Sequence, residues 1–196
     1  MVHMPRPTRE QIEDEILETA ATLFARHGFK ETSIQRVADA VGYSKTGLLH
    51  RFPSKEALQR AVIDRAVGEV RAIAAAAAEL PPGRARDRVV ITGVARLALD
   101  RPGAVALVLS GLMNAPDSEF ATVLDDIGQL VFGAFGIDDP DCAAAADPMR
   151  ILRITGALGA LAVTSVALHD KPYPAALDDI VTVSCDALGH GRAQID

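Results

Sequence analysis

The sequence predicts an all-α protein with a three-helix N-terminal head, containing a helix-turn-helix, followed by a larger helical body, about nine helices in all. Three observations carry that expectation. Apolar residues recur at three- and four-residue spacing along most of the 196 residues, which marks helices with one buried face. Aromatics make up only 4% and Trp is absent, so the core must be built from Ala, Leu, Val and Ile, a composition that leans helical. Cap and stop signals divide the chain at regular intervals, and no convincing strand is read between them.

The elements follow in order. Thr8 with Gln11 forms a capping box for a first helix, whose buried face is Ile12, Ile16, Leu17, Ala20, Leu23 and Phe24, and Gly28 ends it. Thr32 with Gln35 reads as a second box, opening a short helix that Gly42 ends. Ser44 caps a third helix to about Arg51, where Phe52-Pro53 breaks it. Ser54 caps a long fourth helix to Leu80, stopped by Pro81-Pro82-Gly83. Further helices are expected over Arg84–Leu99, Pro102–Met113, a stretch that follows Asn114-Ala115-Pro116 and runs to about Phe135, Pro148–His169 and Ala175–Leu188, with an acidic connector over Gly136–Asp147. The fourth helix divides the chain into a head, residues 1–54, and a body, residues 55–196.

Several function classes drop out. Cys142 and Cys185 are the only cysteines, too few for a disulfide framework and suited to a reducing cytosol. The first twenty residues are charged and carry no apolar signal region. The longest nearly apolar run, Gly156–Leu168, falls short of the roughly 18–20 residues that span a bilayer. No membrane association is expected, and the location read is cytoplasmic. No phosphate-binding glycine loop, dinucleotide fingerprint or nucleophile elbow occurs. Lys45-Thr46-Gly47 matches a β-lactamase fragment, but its Ser-x-x-Lys partner motif is missing. The histidines at 3, 27, 50, 169 and 190 lack metal-ligand spacing. No enzyme, metal or cofactor is expected.

Net charge is −6, but unevenly spread: residues 1–60 sum to +1 and the rest to −7. A weakly basic head on an acidic body points to a polyanionic partner for the head. In Thr32–Phe52, Ala38 stands where two helices cross closely, and Gly42 where a tight turn needs positive φ. Val37, Val41, Leu48 and Phe52 face inward. This is a helix-turn-helix pattern, whose second helix can enter a DNA major groove N-terminus first. Tyr43, Ser44, Lys45, Thr46 and Gly47 would then meet base edges or phosphates. His50 and Arg51 could reach phosphates, and Lys55 adds charge to the anion-binding start of the next helix. Arg6 and Arg9 could form a minor-groove arm.

Gly28-Phe29, Thr32-Ser33-Ile34, Val37-Ala38, Val41-Gly42-Tyr43-Ser44, Leu48, Phe52, Ser54-Lys55-Glu56 and Leu58 together resemble the N-terminal signature of the tetracycline-repressor (TetR) family, over about Gln11–Ile63. The remainder resembles the family only in helix count, order and length. The resemblance implies a ligand-responsive transcriptional regulator, most simply a repressor that binds a palindromic operator as a homodimer and is released by a small, mainly apolar effector. The DNA-facing residues expected are Thr32, Ser33, Tyr43, Ser44, Lys45, Thr46, Gly47, His50 and Lys55. One departure is Leu49, where the family usually has a Tyr that holds a phosphate. For the effector, of unknown identity, a cavity among the fifth to eighth helices is expected, with Arg96, Leu109, Met113, Phe120, Val131, Phe132 and Phe135 as candidate lining. For dimerisation through the last two helices, Leu158, Gly159, Leu161, Ala162, Ile180 and Val183 are expected at the interface. Two rival readings stay open: a helical small-molecule-binding dimer without DNA binding, and a helical-bundle enzyme.

Overall fold

The structure is a computed structural model and describes residues 8–113, 121–137 and 147–190. Among them are nine α-helices: α1 Arg9–His27, α2 Ile34–Ala40, α3 Lys45–Arg51, α4 Lys55–Ala78, α5 Arg84–Asp100, α6 Pro102–Met113, α7 Ala121–Ala134, α8 Pro148–Leu168 and α9 Ala176–Cys185. A wide last turn covers Asp186–His190. Local chemistry accounts for most boundaries. Thr8 and Gln11 make the reciprocal capping box at α1, and Ser44, Ser54 and Asp147 each accept an N–H from the first turn of α3, α4 and α8. The expected box at Thr32 is not formed. Ser33 caps α2 instead, through the N–H of Arg36, because the Thr32 hydroxyl is taken by the Gly28 and Leu23 carbonyls at 2.8 and 3.3 Å.

Burial divides the described residues into two clusters. The head core joins Ile16, Ala20 and Phe24 of α1 to Val37 and Ala38 of α2, Leu48 of α3 and Leu58 and Val62 of α4. Its packing therefore runs past Ser54 into the long helix. Leu107 of α6 also packs against it. The body core joins Val90 and Ile91 of α5 to Phe135, to Ile154 and Leu161 of α8, and to Ile180 and Val181 of α9.

Head and body meet along α1 and α6, the most extensive helix–helix contact among the described residues. Gly103 makes the close approach possible: a Cβ there would lie 2.3 Å from Thr22 Oγ1 and 2.7 Å from the Glu18 carbonyl. The Gly103 N–H, at the start of α6, donates to Glu18 Oε1. Burial pushes the Glu18 carboxyl above its ordinary range, despite that hydrogen bond and the nearby Arg101 guanidinium.

A second ionic cluster lies inside the body. Asp87 is fully buried and accepts from Arg150 Nη2 at 2.7 Å, while His190 Nε2 stands 2.6 Å from its other oxygen. It ties α5, α8 and the last turn together. The full α8 helix, 21 residues, is long and apolar enough by composition to cross a bilayer, longer than the apolar run read from sequence. Arg150 and Arg153 lie in its first half, however, and Ile154, Ala157, Leu161 and Ser165 are buried inside the protein.

Candidate nucleic-acid interface

The interface begins with a turn. α2 ends at Ala40, Gly42 takes φ +71°, and the Tyr43 N–H reaches back to the Ala38 carbonyl at 2.8 Å. Only glycine adopts that φ without strain. Ala38, with no exposed surface, lets α2 and α3 cross closely, as its small side chain suggested. Leu48 fixes α3 from below with no exposed surface. The opposite side of α3 faces outward.

Ser44, Lys45, Thr46 and His50 are exposed, and Tyr43 and Gly47 half-buried. The Ser44 Oγ caps α3 by accepting the Gly47 N–H at 3.0 Å. Among the described residues, the side chains of Lys45, Thr46 and His50 hold no hydrogen bond or ion pair. Gly47 carries nothing outward, and a Cβ there would press on Ser44 Oγ at 3.1 Å. No acid lies on α3, and His50 and Arg51 occupy its last turn. Ser33 is exposed at the start of α2, where its hydroxyl accepts the Arg36 N–H at 3.1 Å. The first turn of α3 thus offers hydrogen-bonding and positive groups with no internal partner, on a helix short enough to sit in a groove.

Two expected contact residues are placed otherwise. Thr32 has no exposed surface, and its hydroxyl closes the α1–α2 turn, so its side chain meets protein and not solvent. Lys55 is half-buried, and its Nζ donates to the Phe29 carbonyl at 2.9 Å. Leu49 is half-buried and packs against the head core, so the position where a phosphate-holding Tyr is usual is spent on packing.

The expected effector residues do not line one cavity. Arg96 is exposed, because α5 turns Ile91, Ala95 and Ala98 into the core and Arg96 falls on the other side. Phe135 is buried beneath the Arg150 guanidinium, 5.8 Å from its ring centre. Val131 and Phe132 pack on the body core. Leu109 is half-buried on α6. Phe120 and the side chain of Met113 lie outside the described residues. An apolar crevice does exist, but between α4, α6 and α7. It is lined by Ile63, Ala66, Leu107, Val108, Leu124 and Ile127, and about 20 Å³ of it admits a water-sized sphere, room for roughly one water. An open groove of about 760 Å³ also runs between α4 and α7, past Arg71, Ala74, Asp126 and Gln129.

The body also presents an uncovered apolar strip. Met149, Leu152, Gly156, Gly159 and Val163 follow one another at three- and four-residue steps along α8, the spacing of a helix–helix seam. Met149, Leu152 and Val163, with Val183 of α9, are 55% to 64% exposed. A Cβ added at Gly156 or Gly159 would meet none of the described residues within 4 Å, so neither glycine is needed for packing among them. Of the residues expected at an interface, Gly159 and Val183 lie on open surface, and Leu158 and Ala162 are half-buried. Leu161 and Ile180, 1% and 4% exposed, fill the chain's own core instead, which leaves almost none of their surface for a partner. Met149, Leu152 and Val163 are not among the residues expected at an interface, yet they share this exposed strip.

Comparison with known proteins agrees with this geometry. Residues 16–62 match the family model of bacterial regulatory proteins, tetR family. The HTH-type transcriptional regulator RutR of Escherichia coli K12 is 48% identical over 48 residues, 24% of this chain and 23% of that protein. The HTH-type transcriptional repressor KstR2 of Rhodococcus jostii RHA1 is 40% identical over 65 residues, 31% of this chain and 32% of its own length. The sequence match to these relatives is therefore confined to less than a third of each. Solved structures extend the likeness of fold to nearly the whole chain. A TetR-family regulator from Bordetella parapertussis 12822 superposes with a TM-score of 0.68 at 22% identity, covering 93% of this chain and 96% of that one. AmtR of Mycobacterium smegmatis gives 0.61 at 22% identity, covering 96% and 90%. The likeness to the tetR family of bacterial regulatory proteins thus lies in the N-terminal helices, residues 16–62, and the rest of the chain shares with the solved structures the fold alone.

Proposed function

We propose that this protein is a cytoplasmic transcriptional repressor and not an enzyme, with residues 1–54 as the DNA-reading head and 55–196 as the effector-binding and dimerisation body. The observation that carries the reading is the first turn of α3: exposed, free of acids, and set by Gly42 on a head whose core holds it rigidly. Ser33, Tyr43, Ser44, Lys45, Thr46, Gly47 and His50 are the residues assigned to DNA. Two heads related by a twofold axis would meet half-sites about 34–36 Å apart, so the operator would be roughly palindromic. The exposed strip on α8, together with Val183, supports pairing with a second copy as an intersubunit four-helix bundle.

The crevice between α4, α6 and α7 is the reading's effector site. Its walls are apolar, and its free space holds only about one water, so a larger ligand must part the helices around it to fit. A ligand that binds only the parted form shifts the population toward it. A gel shift with the DNA upstream of its own coding sequence, with and without added competitor duplex, tests the assignment. A retarded complex that specific DNA competes away and random DNA does not is the expected result. Leu49 favours a second reading, a dimer that binds a small molecule but no DNA; absence of any salt-dependent duplex binding would select it.

A further inference from the structure

Lys55 opens α4, where the free N–H groups of the first turn make a positive helix end that disfavours a cation. A lysine in that place needs a partner, and the sequence suggests a DNA phosphate. In the structure the ammonium turns instead across the head. Nζ donates to the Phe29 carbonyl at 2.9 Å and to the Lys30 carbonyl at 3.3 Å, and it lies 4.3 Å from the centre of the Phe29 ring. That ring stands 5.4 Å from Phe24, a residue of the head core. From the other side, Thr32 closes the same turn: its N–H donates to the Phe29 carbonyl and its hydroxyl to the Gly28 carbonyl.

The turn held between Thr32 and Lys55 delivers Ser33 and the start of α2. An ammonium has three donors, and here two go to carbonyls while an aromatic face covers part of the charge. Swinging Lys55 out to a phosphate would break both of these bonds and the contact with the ring, leaving the Phe29 carbonyl to the Thr32 N–H alone. We infer that Lys55 is a positioning residue, which sets the start of α2 by holding the Phe29 and Lys30 carbonyls and neutralises no phosphate. The inference rests on the DNA-binding reading above.

Lys55→Met, Lys55→Arg and Phe29→Leu in the full chain test it. Binding is read by fluorescence anisotropy on a duplex obtained by in vitro selection with the wild-type protein. Across about 50 to 200 mM KCl, each phosphate neutralised adds roughly 0.9 to the slope of log affinity on log salt. Lys55→Met is expected to weaken binding about tenfold, the equivalent of one or two lost hydrogen bonds, with an unchanged slope. Lys55→Arg should restore most of it, since a guanidinium can reach both carbonyls and stack on the ring. Phe29→Leu should reproduce part of the loss. A slope lowered by close to 0.9 in Lys55→Met overturns the inference. Hydrogen exchange without DNA gives an independent readout: amides from Glu31 to Arg36 should exchange faster in Lys55→Met well below its unfolding temperature, and unchanged exchange also overturns the inference. If the wild type selects no duplex, the DNA-binding reading fails, and the exchange measurement alone decides the placement of Lys55.

Discussion

Arg101 Nη2 lies 3.0 Å from Asp14 Oδ2, joining the junction of α5 and α6 to the first helix of the head across 87 positions of sequence. Arg65 binds the other oxygen of Asp14 at 2.8 Å, and both arginines reach Glu69 of α4, at 3.3 and 3.4 Å. This network ties the head to the body in addition to the α1–α6 packing and the continuous helix α4. The groups are partly exposed, 25% for Arg101 and 40% for Asp14, so solvent screens them. Arg101→Ala should lower stability by about 1 kcal/mol and the melting temperature by about 2–4 °C. A melting temperature unchanged in thermal unfolding would show that the network contributes nothing.

Glu18 yields a pH prediction. Its folded-state pKa is raised by burial. A raised pKa means that the group's contribution is fully present below the unfolded value and is lost as pH rises through the folded value. Wild type should therefore gain stability relative to Glu18→Gln as pH falls from neutral toward the ordinary carboxyl range. Glutamine keeps an acceptor for the Gly103 N–H, so the comparison isolates ionisation. Chemical denaturation of both proteins at a series of pH values checks it, and a gap that is constant or moves the other way contradicts it.

Gly42→Ala should destabilise the protein by about 1–2 kcal/mol, the penalty of placing an L side chain in the left-handed region. Among the described residues no neighbouring atom lies within 4 Å of the added Cβ, so the loss would come from backbone strain and not from a clash. Urea denaturation should show a lower midpoint with an unchanged slope; an unchanged midpoint would mean that the turn tolerates the strain.

The strip on α8 separates association from folding. Leu152→Glu puts a charge on exposed surface and should leave the monomer folded while shifting sedimentation velocity from dimer to monomer. Leu161→Glu buries an unpaired carboxylate in the body core and should unfold the chain. If Leu152→Glu leaves the oligomeric state unaltered, the strip is not the interface.

The parts of this molecule that were legible in the sequence are those set by neighbours in the chain. Gly42, Ser44, Ser54 and the Thr8–Gln11 box act within four residues, and all four are formed. Thr32 and Ser33 both suit a cap, and the choice between them was made by the Leu23 and Gly28 carbonyls, which no local pattern exposes. α8 is apolar on more than one side, so periodicity does not say which face meets its own α5 and α9 and which stays open; Leu161, expected at an interface, is buried in the core for that reason. The crevice fell between α4, α6 and α7 because α6 packs along α1, a contact between distant segments. Asp14 with Arg101, and Lys55 with Phe29, are long-range pairs of the same kind.

The most direct test of the central claim is the binding of Lys45→Ala and wild type to a selected duplex, measured by fluorescence anisotropy over a range of salt. If the first turn of α3 meets DNA, Lys45→Ala should bind more weakly. Its salt slope should also fall by about one if Lys45 holds a phosphate, or its sequence preference should relax if Lys45 reads a base. Equal affinity, slope and preference for the two proteins would contradict the claim that this turn reads DNA.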